Sequence, residues 1–253
     1  FSNQCPYVYG YSQIHTVSQN EAQIATETIN DTFGAQNTAA LLVPRGDYES
    51  EKALLNRLSS YDEVESALGL ANIEAMDGYT LTDALTPRQF SELIDLDYEQ
   101  AKLLYAAYAA DQEAYGRIVE GVDDYTIPLM DLFLFIHDAK ADGYITLDDQ
   151  MSGEIDDLYA QLTDARAQML GEHYSRLVLQ LNLPEEGEET FDFLKTIHAE
   201  AERYYDADQI FLVGNSTSDY DLSTSFARDN ILISVLTVVF VILVLLFTFQ
   251  SVG

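Results

Sequence analysis

Basic residues are scarce. Lys and Arg total 12 against 43 Asp and Glu in 253 residues, a formal net charge of −31. Reading a phosphate backbone takes clustered Lys and Arg that displace counterions, so a nucleic-acid partner is excluded. Cysteine is nearly absent: Cys5 alone cannot bridge within the chain. Four dispersed histidines, His15, His137, His173 and His198, offer no metal-ligand spacing, so neither a disulfide framework nor a zinc site is expected. No G-x-G-x-x-G and no P-loop occurs, which leaves nucleotide-powered work without a site. There is no G-x-S-x-G, and Gly214-Asn215-Ser216 follows a strand without the second glycine, so no enzyme is expected and no catalytic, cofactor-binding or metal residue is singled out. Charge of either sign is missing after Asp229.

What is present is apolar material, 47% of the chain, more than an acidic disordered tail would carry, so most of the chain can fold around a core. It is unevenly spread. Between Ile231 and Phe249, 16 of 19 residues are apolar, the exceptions being Ser234, Thr237 and Thr248. At about 1.5 Å per residue this stretch reaches roughly 28 Å, matching a bilayer core of about 30 Å, and it predicts a transmembrane helix. The competing assignment is a core helix, which usually keeps one polar face; this stretch has none. Its position excludes a signal peptide. The chain opens at Phe1 without a basic or apolar leader and stops directly after the span, so a segment of a larger membrane protein is expected. Flanking Lys and Arg do not orient it.

Residues 1–36 form a polar, tyrosine-containing lead-in, with a short helix predicted across Ala22 to Phe33. Residues 37–72 have the pattern of a β-α-β unit. Ala39 to Val43 is a short apolar run stopped by Pro44 and Gly46, Asp47 can cap a helix with Leu54, Leu55, Leu58 and Tyr61 on one face, and a strand follows over Val64 to Leu70 with Val64, Ser66, Leu68 and Leu70 on one side. A second such unit spans 173–218. Leu177, Leu179, Leu181 and Leu183 alternate with polar positions, Phe193, Leu194, Ile197, Ala201 and Tyr204 form a helical stripe, and Ile210 to Val213 reads as a buried strand stopped by Gly214 and Asn215. Two β-α-β units can pair into an α+β, split ferredoxin-like sheet with both helices on one face.

Between them, residues 73–172 form a helical insertion whose helices fall between about 86 and 171. Thr86-Pro87-Arg88-Gln89 is a capping box with Pro at the first helical position. Phe90, Leu93 and Ile94 face inward, a break follows near Asp95 to Asp97, and Ala101, Leu104, Tyr105 and Tyr108 resume helical spacing. Pro128 opens a helix with Leu129, Leu132, Phe133 and Ile136 on one face. Leu147, Met151, Ile155, Leu158, Leu162, Ala165 and Met169 make a near-heptad seam suited to an antiparallel hairpin; a coiled-coil dimer would use the same seam. Residues 219–253 hold the span and its lead-in.

Several features resemble sites. Asp138 to Asp149 matches part of a calcium loop at Asp138, Asp142, Gly143 and Ile145, but Lys140 puts a cation where a ligand oxygen is needed and Asp149 is short for the bidentate position, so a helix-turn-helix corner is the alternative. Asn30-Asp31-Thr32 and Asn215-Ser216-Thr217 match glycosylation triplets that chance also supplies. The 17 tyrosines could line a vestibule, although Tyr98, Tyr105, Tyr108, Tyr159 and Tyr204 sit at core spacing.

Phe211-Leu212-Val213-Gly214-Asn215-Ser216, then Asp221-Leu222, Asp229 and an uncharged span ending Phe247-Thr248-Phe249-Gln250-Ser251, resembles the junction of loop and membrane helix in MMPL-type exporters of the resistance-nodulation-division superfamily. Leu42 to Glu49 and Leu85 to Phe90 are similar to their large extracytoplasmic loop, and Tyr7-Val8-Tyr9-Gly10 with Phe33-Gly34 looks more like the loop of the second half. The resemblance implies a porter-type domain facing outward from the cell membrane and proton-driven export of an amphipathic or lipid-like substrate. It also implies a multi-pass assembly with further transmembrane helices and a second porter half. Asn230 to Gly253 holds no ionisable side chain, so the proton relay is expected elsewhere. A sensor or adhesion domain anchored by one span would account for the same acidic globule.

Overall fold

Asn37 to Leu181 carries one strand at each end of a long excursion, and the two strands lie side by side. In the computed structural model, which describes residues 37–112, 121–144 and 149–249 with the isolated positions Ala25 and Thr28, β1 (Asn37–Pro44) pairs antiparallel with β7 (Tyr174–Leu181), Leu41 opposite Leu177. The helix expected over Ala22 to Phe33 lies outside the described residues apart from those two positions. Strand β2 (Val64–Leu68) joins the free edge of β7 and β8 (Phe211–Gly214) that of β1, giving an antiparallel sheet in the order β2-β7-β1-β8. Helix α1 (Tyr48–Leu58) connects β1 to β2, and α6 (Glu188–Ala201) connects β7 to β8. Both helices cover the same face: Leu54, Leu55 and Leu58 of α1 and Phe193, Leu194 and Ile197 of α6 form one buried cluster with Leu41, Val43, Leu177, Leu179 and Leu181.

Local chemistry starts α1. The Asp47 carboxylate accepts from the Ser50 amide at 3.0 Å, and Glu49 and Glu51 in the first turn with Arg57 in the last oppose the helix dipole. Close packing decides one glycine: a Cβ on Gly69 would lie 2.6 Å from Leu177 Cδ2 and 2.9 Å from Leu55 Cδ1.

Three expectations are corrected. A bulge between Val64 and Ser66 adds a residue to β2, so the buried positions are Val64 and Ala67, while Ser66 and Leu68 are exposed; the strand ends at Leu68, and Leu70 turns into a second core. Strand β8 is no buried strand. It lies at the sheet edge, with Ile210 just before it pointing inward and Phe211 and Val213 exposed on the face that α1 and α6 leave uncovered. Tyr204 lies beyond the end of α6 and is exposed.

The insertion builds its own core. A hairpin of β3 (Glu74–Met76) and β4 (Tyr79–Thr80), and the short pair β5 (Ala84–Leu85) and β6 (Ile127–Pro128), were invisible to periodicity because each strand is two or three residues long. Helix α2 (Pro87–Leu93) starts at the expected capping box: the Gln89 side chain accepts from the Thr86 amide at 2.9 Å. Asp95 has φ +53° in the break, and Asp97 caps α3 (Tyr98–Asp111). Helices α4 (Leu129–Ala141) and α5 (Asp149–Met169) run antiparallel, with Lys140 near the end of one bonded to Asp156 near the start of the other at 2.6 Å. On the α5 seam Leu162 and Met169 are buried and Ile155, Leu158 and Ala165 half-buried, while Leu147 and the Met151 side chain lie outside what is described. The seam is thus packed within the chain.

Helix α7 (Asn215–Phe249) is 35 residues long, about 52 Å, and none of its apolar window is buried. A core helix would be enclosed. From Ile231 to Phe247 this one presents uncharged, mostly aliphatic and aromatic side chains on every side, the pattern that a bilayer solvates.

Candidate functional site

The sheet meets the membrane helix without a loop. Gly214, the last residue of β8, is followed at once by α7, and β8 lies so close on β1 that a Cβ at Gly214 would sit 2.9 Å from the Thr38 carbonyl oxygen and 3.3 Å from Ala39 Cα. The Thr217 hydroxyl donates to the Gly214 carbonyl at 2.7 Å, occupying an acceptor at the turn. Ser216, 1% exposed, donates its hydroxyl to Asn37 Oδ1 at 2.8 Å, and Asn37, 2% exposed, donates Nδ2 to the Pro184 carbonyl at 3.1 Å, where Thr190 also donates at 2.7 Å. Asn215 Nδ2 donates to Glu185 Oε1 at 2.8 Å. One polar chain therefore ties the start of α7 to β1 and to the β7–α6 loop. Asp219, buried in the next turn, has its carboxyl pushed up by burial and by the nearby Glu186 and Glu185 charges, and the Tyr220 ring tilts against Phe191 at 5.6 Å. With Asn215 and Ser216 so engaged, the glycosylation triplet there is part of the joint; the triplet at Asn30 lies outside the described residues.

A second feature lies in the insertion. An apolar cleft of about 1480 Å³ opens between α3, α4, α5 and the β3–β4 hairpin. Leu81, Leu104, Phe133, Ile136 and Ala139 are its buried floor, and Leu103 and Tyr144 stand exposed at its mouth. The α3 wall is anchored by Tyr105, whose phenol donates to the Leu85 carbonyl at 2.8 Å and is pushed up by burial. Behind Phe135, the Tyr108 ring makes an edge contact at 5.4 Å; burial, aided by the Asp131 charge, pushes its phenol up to about 12. Tyr98 is half-buried under Arg88, whose guanidinium lies 4.7 Å from the ring, and Tyr159 stacks on His137 at 3.6 Å. Of the five tyrosines with core spacing, only Tyr105 is fully enclosed.

Among the described residues, side chains of the calcium-like stretch turn to protein partners. Lys140 Nζ donates to Asp156 Oδ1 and to the Ser152 carbonyl at 3.1 Å, and Asp138 faces His137 Nδ1 at 3.1 Å. Residues 145–148 lie outside the described residues, and among those described no group of three or more His, Cys, Asp or Glu is placed to hold a metal.

Sequence reasoning missed three buried acids, Glu51, Glu200 and Asp219, of which Glu51 is the most enclosed. Glu51, fully enclosed between α1 and β7, accepts the Ser175 hydroxyl at 2.5 Å on Oε1, while Oε2 has no partner. Burial pushes its carboxyl up; the Ser175 bond acts against that and the Asp47 charge adds to it. Its only signal in the sequence was an acid in the first turn of a helix, where acids normally face water.

Among known proteins, no curated protein and no solved structure matches the chain. The profile of the MMPL family matches residues 104–253, from within α3, the second helix of the insertion, through the second β-α-β unit and the apolar helix. Matching over more than half its length, with a sheet that runs straight into a helix whose last 19 residues are uncharged and long enough to cross a bilayer, this chain belongs to the MMPL family, membrane proteins of the resistance-nodulation-division superfamily of transporters.

Proposed function

We propose that this chain supplies an extracytoplasmic porter domain and its adjoining membrane helix to a proton-driven exporter of amphipathic or lipid-like substrates. The observation that carries the proposal is the loop-free passage from β8 into α7: any tilt of the membrane helix is delivered to the sheet without a hinge between them. The strand order β2-β7-β1-β8, with α1 and α6 on one face, supports assigning the sheet as a split ferredoxin-like pair of β-α-β units, residues 37–72 and 173–218, interrupted by the insertion 73–172. Asn230 to Gly253 contains no ionisable side chain, so in this proposal the proton relay belongs to other helices of a multi-pass protein, and this chain has no catalytic role. Family membership favours the exporter over a sensor or adhesion domain anchored by a single span.

The whole transporter reconstituted in proteoliposomes tests it. An imposed pH gradient is expected to drive movement of a fluorescent lipid-like probe, and a protonophore to abolish it. Movement indifferent to the gradient, or no movement at all, would overturn the proposal.

A further inference from the structure

The cleft in the insertion has a charge as well as a shape. Its lining includes three exposed carboxylates, Asp111 at the end of α3 and Asp138 and Asp142 at the end of α4, and the polar Gln100, while its buried residues Leu81, Leu104, Phe133, Ile136 and Ala139 are apolar. No basic side chain lines it among the described residues. The nearest ammonium, Lys140, is engaged by Asp156 at 2.6 Å and by the Ser152 carbonyl. Among the described residues Asp111 accepts the neutral Gln112 amide, at 2.9 Å, and Asp138 faces the His137 ring. An apolar trough with three carboxylates in its exposed lining is complementary to a molecule with one alkyl tail and one cationic head. Burying the tail removes apolar area from water, and the head gains attraction to the lining carboxylates. An anionic head would meet the same carboxylates and, behind them, a chain of net charge −31.

We propose that this cleft binds single-chain cationic amphiphiles in preference to anionic or neutral ones of equal tail length. The assignment deepens the export proposal and rests on it only for the route by which such a ligand arrives.

These 253 residues contain no tryptophan, so Leu103→Trp, at a position 71% exposed, adds an indole beside the cleft. In the whole protein held in zwitterionic nanodiscs, with the emission of the unsubstituted protein subtracted, 12-bromododecyltrimethylammonium is expected to quench the added indole at a concentration at least tenfold below 12-bromododecyl sulfate. Adding Asp111→Asn, Asp138→Asn and Asp142→Asn, all exposed and needed by no core, is expected to bring the two within twofold. Ala107→Tyr, which fills the cleft from an exposed position, is expected to abolish saturable quenching by either. Equal quenching by both amphiphiles in the Leu103→Trp protein, or a preference that survives the three Asn substitutions, would overturn the proposal. Absent quenching in a protein that still transports would sink the cleft and leave the export proposal standing; quenching without proton-coupled transport would do the reverse.

Discussion

Ser216→Ala removes a single oxygen from the joint between sheet and membrane helix, and its cost can be worked from the contacts there. The serine and its acceptor Asn37 are 1% and 2% exposed, so water does not replace the lost hydroxyl at Asn37 Oδ1. A buried acceptor left without a partner costs about 1–3 kcal/mol, which raises the population of an opened joint about 5- to 140-fold. Hydrogen exchange followed by mass spectrometry on the whole protein reads this directly. Peptides covering β1, β8 and the first turns of α7 should lose protection by that factor, while peptides from α4 and α5 stay unchanged. The partner substitution identifies the cause. In Asn37→Leu with Ser216→Ala the acceptor is gone, and the Pro184 carbonyl keeps its Thr190 donor at 2.7 Å, so most of the protection should return. Exchange within twofold of the parent in Ser216→Ala would refute a hydrogen-bonded joint. A double variant worse than the single would show that packing, and not the orphaned acceptor, sets the cost.

Gly214→Ala should cost about 1–3 kcal/mol of stability by thermal denaturation, because its Cβ meets the β1 backbone at 2.9 and 3.3 Å and neither atom can swing aside; an unchanged midpoint would contradict this. Leu177→Ala, in the middle of the sheet core, should cost about 2–5 kcal/mol, whereas Leu103→Ala on the cleft mouth should stay within about 0.5 kcal/mol. Glu51 gives a pH test with a definite sign. Its carboxyl is raised in the folded state, so the folded chain holds this proton more tightly than the unfolded one, and stability falls as pH rises from the ordinary glutamate range through the raised value. Glu51→Gln should remove that fall, and melting profiles that run parallel for the two proteins from pH 4 to 8 would show that burial does not govern this acid. With Cys5→Ser, a cysteine introduced at the exposed Asp142 should react with a membrane-impermeant maleimide on intact cells; reaction only after lysis would place the insertion on the wrong side of the membrane.

Helix starts were the most legible elements, since Asp47, and Thr86 with Gln89, act within four residues of themselves. The alternation in β7 was equally plain, because a strand flanked on both sides must keep a period of two over its whole length. The bulge in β2 defeated the same rule, since an added residue leaves no compositional trace. Phe211 and Val213 misled for a different reason: an apolar run looks the same in a central strand as at an edge, and only its neighbours decide which it is. Nothing local marked Glu51 as enclosed or the walls of the cleft as partners.

The amino-acid order by itself determined the membrane helix, the uncharged length after Asp229, the acidic balance that rules out nucleic acid, and the family. Each depends on composition or on spacing within one segment, and needs no fold to act. The tertiary structure decided that residues 37 and 216, distant along the chain, close one buried hydrogen bond, and that three aspartates from the ends of two helices line one apolar trough. Such meetings depend on where β1, β8 and the insertion helices come to rest, and burial, which sets the energy of every polar group among them, exists only once they have packed.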